Sequence, residues 1–264
     1  MRHTIKHAMK YSLKDIAASL PPEKRRANGW WDRLALRPLS YPVTWLALAC
    51  GLSPNAVTWI GVLFALAGGA LFALAGGVLQ WAGLGGLFVF SVLDAVDGNM
   101  ARTLKKPNPW GSWTDAAGGY IAYTATLLAL GVAAERAGGF LGTGGLCIFL
   151  GGFSAAANML MRACVQSRKA FQTVMEGVPA KAPAGGEKWL SENLGITGIM
   201  DPLIAFGLAL HFLPWVLCFY TLLYGLGSVW VILKLALKTK TASRPVAPEE
   251  TTDPTDEDGR ENEE

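Results

Sequence analysis

The sequence predicts an all-α, polytopic integral membrane fold, with six transmembrane helices preceded by N-terminal amphipathic interfacial helices, and three observations carry that expectation. Of its 264 residues, 52% are hydrophobic and only 16% charged, against roughly 25% charged in soluble domains, and the mean hydropathy is +0.31. The apolar residues gather into stretches close to the ~20 residues that one bilayer crossing requires. Lysine and arginine fall mainly in alternate connections between those stretches, the pattern that fixes orientation in a membrane.

At the start, Ile5, Met9, Leu13, Ile16 and Leu20 recur at three- and four-residue intervals while Lys6, Lys10 and Lys14 lie off that stripe. The spacing predicts an amphipathic helix over residues 3–20, lying at the membrane surface; a soluble surface helix would show the same period. Trp30, Trp31 and Trp45 favour the interface, where amphipathic rings collect. Residues 1–20 lack a continuous apolar core, so no cleavable signal is expected. Residues 43–52 are apolar but too few to span.

Ser53 and Pro54 then supply a helix cap and a favoured first helical residue. From there the expected spans are 57–75, 78–96, 113–133, 140–161, 196–214 and 215–233. Arg102, Lys105 and Lys106 follow the second, and Arg162, Arg168, Lys169, Lys181 and Lys188 follow the fourth, so those connections are expected in the cytoplasm, with both termini. The expected divisions are an interfacial segment, 1–53, a membrane domain, 54–238, and a disordered tail, 239–264. Nine acids and one base lie from Pro248 onward, a composition that cannot bury a core. Cys50, Cys147, Cys164 and Cys218 show no metal-ligand spacing and read as small hydrophobes.

Three acids stand apart from the others. Asp94 and Asp97 close the second expected span and Asp115 opens the third, where a charge requires a partner. The first two are three residues apart and share a helical face, and the connection through residues 106–109 can return Asp115 toward them. Three converging carboxylates suit a hard cation, Mg2+ or Mn2+, which commonly bridges carboxylates to phosphates. Gly98 and Gly111 leave room for a ligand near the backbone, Ala101 keeps the next turn open, and Arg102 offers a forked donor for phosphate oxygens. The alternative is simple pairing of the acids with Arg102, Lys105 and Lys106 at a helix end.

Taken together, Asp94-x-x-Asp97-Gly98-x-x-Ala101-Arg102, eight residues, then Gly111-x-x-x-Asp115 resembles the signature of the CDP-alcohol phosphotransferase family at seven positions. Ser53-Pro54-Asn55 with Thr58 is similar to that family more weakly. The resemblance, over residues 30–235, implies a six-helix membrane enzyme, usually a homodimer. Such enzymes transfer a substituted phosphate from a CDP-linked donor, CDP-diacylglycerol or another CDP-alcohol, to an alcohol acceptor and release CMP. Phospholipid synthesis, in a bacterial inner membrane with a cytoplasmic active site, is the setting it implies. Asp94, Asp97 and Asp115 would hold the metal, and Gly98, Ala101, Arg102 and Gly111 would line the nucleotide and diphosphate pocket. The implied partners are donor, acceptor and membrane lipids, with no nucleic acid.

The family pattern ends on a fourth aspartate, thought to deprotonate the acceptor, where this chain has Gly119. A well-placed base contributes about a hundredfold to ten-thousandfold, so three readings stay open: a different base, an acceptor already ionised, or binding of a CDP-lipid without turnover. Asp32, Glu187, Glu192 and Asp201 are the candidate replacement bases, while Glu135 falls on the far side of the membrane. Arg162, Arg168 and Lys169 would hold an anionic acceptor or only fix topology. Asn158 reads as the source of an interhelical hydrogen bond.

Overall fold

The computed structural model describes residues 11–106, 108–140, 144–175, 189–190 and 193–242, and every regular element among them is helical. Helix α1, Leu13–Ala18, starts at a capping box: the Ser12 N–H donates to Asp15 Oδ2 at 2.8 Å and the Asp15 N–H to Ser12 Oγ at 3.2 Å, which satisfies two donors left open by the first turn. Ile16, from its apolar stripe, packs with Leu36, Val92, Val96 and Met100. The first half of the expected 3–20 helix lies outside the described residues. Helix α2, Pro22–Ala27, opens on proline at its first position. A wide π turn, Asp32–Leu36, feeds helix α3, Arg37–Ala49, which lies against the second long helix.

Among the described residues five helices are long and apolar enough to cross a membrane, and the chain is an integral membrane protein. They are α4 (Pro54–Leu74), α5 (Gly77–Leu104), α6 (Gly111–Arg136), α7 (Leu146–Met175) and α9 (Leu213–Ala242). Leu63, Leu74, Val78, Phe149 and Leu226 are exposed on them, which lipid tolerates and water would not. Helix α4 begins where the sequence expects, with the Ala56 N–H donating to Ser53 Oγ at 3.2 Å.

Among the described residues a sixth helix of that length is not found. The stretch expected as the fifth, 196–214, forms a π turn, Ile196–Met200, and helix α8, Asp201–Ala209. Gly198 leaves the helical region at φ −99°, ψ −136°, and His211 takes a left-handed φ of 56°, so the backbone breaks at both ends. The apolar helix Ile196–Ala209 is too short: at 1.5 Å per residue it falls well below the ~30 Å hydrocarbon core. Two other helices overrun their expected ends. Helix α5 continues through Asp97 and Arg102 to stop at Lys105, whose φ is 51°. Helix α7 runs to Met175, so Arg162, Arg168 and Lys169 ride on a helix and not in a loop; no glycine or proline interrupts residues 161–175.

Lipid is as apolar as leucine, so close approach of backbones holds such helices together. Helices α4 and α5 meet where a Cβ on Gly68 would stand 2.9 Å from Gly86 Cα and one on Gly83 would strike Phe72 N. Helices α6 and α7 repeat the device, with a Cβ on Gly131 falling 2.7 Å from the Cys147 carbonyl oxygen. Around these contacts Phe72, Leu87, Leu127, Leu130, Met200 and Tyr220 form the main core. The consequence for function is that α4, α5 and α6 are locked side by side.

Candidate functional site

A cavity of about 380 Å³ opens where α4, α5, α6 and the N-terminal segment meet, and Asp94, Asp97 and Asp115 all line it. So do Gly98, Ala101, Arg102 and Gly111; every residue singled out from the motif lies in this one wall. Helix periodicity brings the α5 residues to one face, since positions 94, 97, 98, 101 and 102 are three or four apart. The turn through Asn108 returns α6, whose first residue, Gly111, would with a Cβ stand 2.9 Å from Asn108 Nδ2. Asn108 in turn donates to Asn55 Oδ1 at 2.7 Å, tying the turn to the start of α4.

The three carboxylates differ in surroundings. Asp97 is buried at 7% exposure, and Thr58 of α4 donates its hydroxyl to Asp97 Oδ2. Gly118 of α6 makes that approach possible, because a Cβ there would sit 2.9 Å from Thr58 Cγ2. Asp94 is half-buried and Asp115 exposed. Asp94 lies within electrostatic reach of Asp115, and Asp97 within reach of both. Among the described residues no group of three His, Cys, Asp or Glu side chains stands close enough to hold a metal ion. The like charges share a cavity without closing on a common point.

Two arginines of the cavity wall, Arg37 and Arg102, belong to a polar network whose centre the motif did not single out. Asn99, fully buried, accepts at Oδ1 from Arg102 Nη2 at 2.8 Å and Arg37 Nη1 at 3.1 Å. Its Nδ2 donates to Ser40 Oγ at 2.9 Å and Thr44 Oγ1 at 3.3 Å. Arg37 Nε also donates to Asp32 Oδ2 at 2.9 Å. One amide therefore holds two guanidiniums at the cavity, while Arg102 Nε is buried without a partner among the described residues. A Cβ on Gly98 would stand 3.2 Å from Arg102 Nη1, so the glycine clears the place where that guanidinium rests. The signal for Asn99 was in the sequence: it precedes Arg102 by three residues, one turn. Arg37 and Lys24, also on the cavity wall, carry no comparable mark.

Of the candidate bases, Asp32 lines the cavity. Asp201 does not: it is buried on α8, where Ser91 donates to its Oδ2 at 2.7 Å. Glu187 and Glu192 lie outside the described residues, as do Lys181, Lys188 and the tail from 243 on. Glu135 ends the far end of α6, accepting from the Gly145 and Cys147 N–H groups at 2.7 and 2.9 Å. Asn158 corrects its expectation, since its Oδ1 accepts from Arg162 Nε of its own helix at 3.1 Å. Gly119 faces that arginine: a Cβ there would lie 3.9 Å from Arg162 Nη1.

No family model matches the chain. Over 75 residues it is 36% identical to a phosphatidylinositol phosphate synthase of Cutibacterium acnes (strain DSM 16379 / KPA171202), a stretch covering 28% of this chain and 35% of that protein. The chain thus aligns with about a third of the length of the curated relative it matches.

Proposed function

We propose that this chain is a CDP-alcohol phosphotransferase of lipid biosynthesis, moving a substituted phosphate from a CDP-linked lipid donor to an alcohol acceptor with release of CMP. The observation that carries the reading is the single cavity wall shared by Asp94, Asp97, Gly98, Ala101, Arg102, Gly111 and Asp115. Likeness to a phosphatidylinositol phosphate synthase supports it. A cytoplasmic site in a bacterial inner membrane fits the cations Lys24, Arg37 and Arg102 on the cavity wall, and a homodimer belongs to the same resemblance.

The donor set is all oxygen, which suits Mg2+ or Mn2+, and Asp97 is within electrostatic reach of Asp94 and Asp115; a divalent cation would relieve the repulsion among them. Asp94, Asp97 and Asp115 would hold it, and it would supply charge neutralisation for a diphosphate and its leaving CMP. The residues of the chain do the rest. Arg102, with its buried unpartnered Nε, and Arg37 take the phosphate oxygens, held in place by Asn99. Thr58 fixes one oxygen of Asp97, which stands on the cavity wall. Asp32 is the replacement base this cavity offers; Arg37 orients its carboxylate, and its test is retention of donor binding with loss of turnover in Asp32→Asn.

The activity is tested with purified protein, Mg2+, a CDP-lipid and a panel of alcohols, following CMP. Release that disappears in Asp115→Ala supports the proposal; no release with any acceptor removes it. Gly119 favours a second reading, binding of a CDP-lipid without turnover. That reading expects Mg2+-dependent donor binding by the unaltered protein and CMP release only after Gly119→Asp.

A further inference from the structure

The N-terminal segment, expected from the sequence to lie along the membrane surface, supplies a part of the cavity wall to which the proposed activity gives no task. Lys24 of α2 and Asn28, one turn on, both line the cavity, as does Gly29. The segment is fastened on either side of them. Arg25 Nη2 donates to the Ala17 carbonyl of α1 at 3.0 Å, and the Trp30 N–H donates to Asn193 Oδ1 at 3.3 Å. Trp31 meets Trp30 edge-on and lies against Phe88 of α5. The Asn28 N–H closes α2 on the Lys24 carbonyl at 3.0 Å, so the backbone fixes where both side chains start.

Asn28 Nδ2 is buried and has no hydrogen-bond partner among the described residues. An unpaired buried donor carries a desolvation cost that the fold does not recover, and a ligand in the cavity is what can recover it. The charges on the wall indicate which ligand group. Four acids, Asp32, Asp94, Asp97 and Asp115, share it with three cations, Lys24, Arg37 and Arg102. Arg37 is engaged by Asp32 and Asn99, and Arg102 by Asn99. Lys24 is exposed, within electrostatic reach of Asp115 but in no salt bridge among the described residues. An ammonium and an amide N–H on one short segment are donors that suit an anionic oxygen. We infer that Lys24 and Asn28 contact phosphate oxygens of the ligand this cavity takes, so that the N-terminal segment is part of the binding site. The inference rests on the phosphate-transfer reading of the cavity. A phosphate of the CDP-linked donor and one carried by an acceptor present the same oxygens, and the two are separated by experiment.

The test is calorimetric titration of the purified full chain with a CDP-lipid in the presence of Mg2+, and then of the donor-loaded chain with inorganic phosphate. Asn28→Ala should weaken one or both about tenfold, as loss of a hydrogen bond to a charged group does. Lys24→Gln should weaken the same titration about threefold, the smaller effect of an exposed charge. A loss in the first titration places the contact on the donor and a loss in the second places it on the acceptor; either supports the inference. Arg26→Ala, on α2 but off the cavity wall, should change neither, and an equal loss there would reduce the effect to bulk charge and overturn the inference. The ligand-free melting temperature of Asn28→Ala should hold or rise, because Nδ2 has no bond in the fold to lose. A fall in it, with binding per folded molecule unchanged, would make Asn28 a packing residue and overturn the inference. Unchanged affinities in both variants overturn it and leave the proposed activity standing, whereas no binding of either ligand by the unaltered chain removes both. If Asn28→Ala does not fold, Lys24→Gln, at an exposed position, decides.

Discussion

The two ends of helix α6 each carry an acid, and their treatment is opposite. Glu135 accepts two backbone N–H groups, from Gly145 and Cys147, and so caps the chain's next turn. Asp115 stands exposed on the cavity wall, with Arg162 and Lys24 in electrostatic reach. A carboxylate whose lone pairs are already filled by backbone is structural; one left open in a cavity beside two others is available to a ligand. The difference lies in what the neighbouring elements bring, because the helix ends alone would favour the reverse, with open N–H groups at the Asp115 end and open carbonyls at the Glu135 end.

The sharpest way to break this contrast is to neutralise one acid on each side. Asp97→Asn should lower CMP release by about a hundredfold or more, as loss of a charge-stabilising group does, with the fold intact by circular dichroism. Glu135→Gln should keep activity per folded molecule and lower the melting temperature by a few degrees. Equal losses of turnover would erase the distinction. Next in size, Gly131→Ala forces a Cβ to within 2.7 Å of the Cys147 carbonyl oxygen and should destabilise by ~1–3 kcal/mol, read by denaturation in detergent, at the end of α6 that carries no chemistry. Asn99→Ala frees both guanidiniums at the cavity end and should raise KM for the CDP-donor about tenfold, the value of a hydrogen bond to a charged group, with a smaller change in kcat.

The smallest effect concerns α1. Hydrogen bonds from the Ser12 hydroxyl and N–H hold the Asp15 carboxyl below its usual range. A lowered folded pKa contributes stability that is present above the unfolded value and lost as the pH falls through the folded one. Amide protection in residues 13–18, corrected for the intrinsic exchange rate, should therefore fall as the pH drops below ~4, and Ser12→Ala, which keeps only the backbone N–H bond to Asp15, should weaken that dependence.

Much of the cavity was legible before any coordinates. Positions 94, 97, 98, 101 and 102 share a face because the helical period demands it, and Gly111 and Asp115 return because the connection is short. Asn99 escaped although it stands one turn before Arg102, because that spacing does not reveal the second guanidinium: Arg37, far away in sequence, reaches the same oxygen only in the folded chain. The fifth expected stretch, 196–214, is interrupted because its apolar content conceals Gly198, whose non-helical backbone only the folded chain reveals. Arg162 was assigned to a loop since positive charge commonly ends a span, yet the helix continues through it.

The sequence by itself determined the membrane-embedded helical class, the helix start at Ser53, and the acids that share a face, because hydropathy, capping and the helical period are local properties. Tertiary structure alone decided that Thr58 fixes Asp97, that Asn99 steadies two arginines, and that Arg162 stands beside Gly119. Those relations join α4, α5, α7 and the N-terminal segment across the bundle, and they depend on how closely Gly68, Gly83 and Gly131 let the helices approach, which no local spacing encodes.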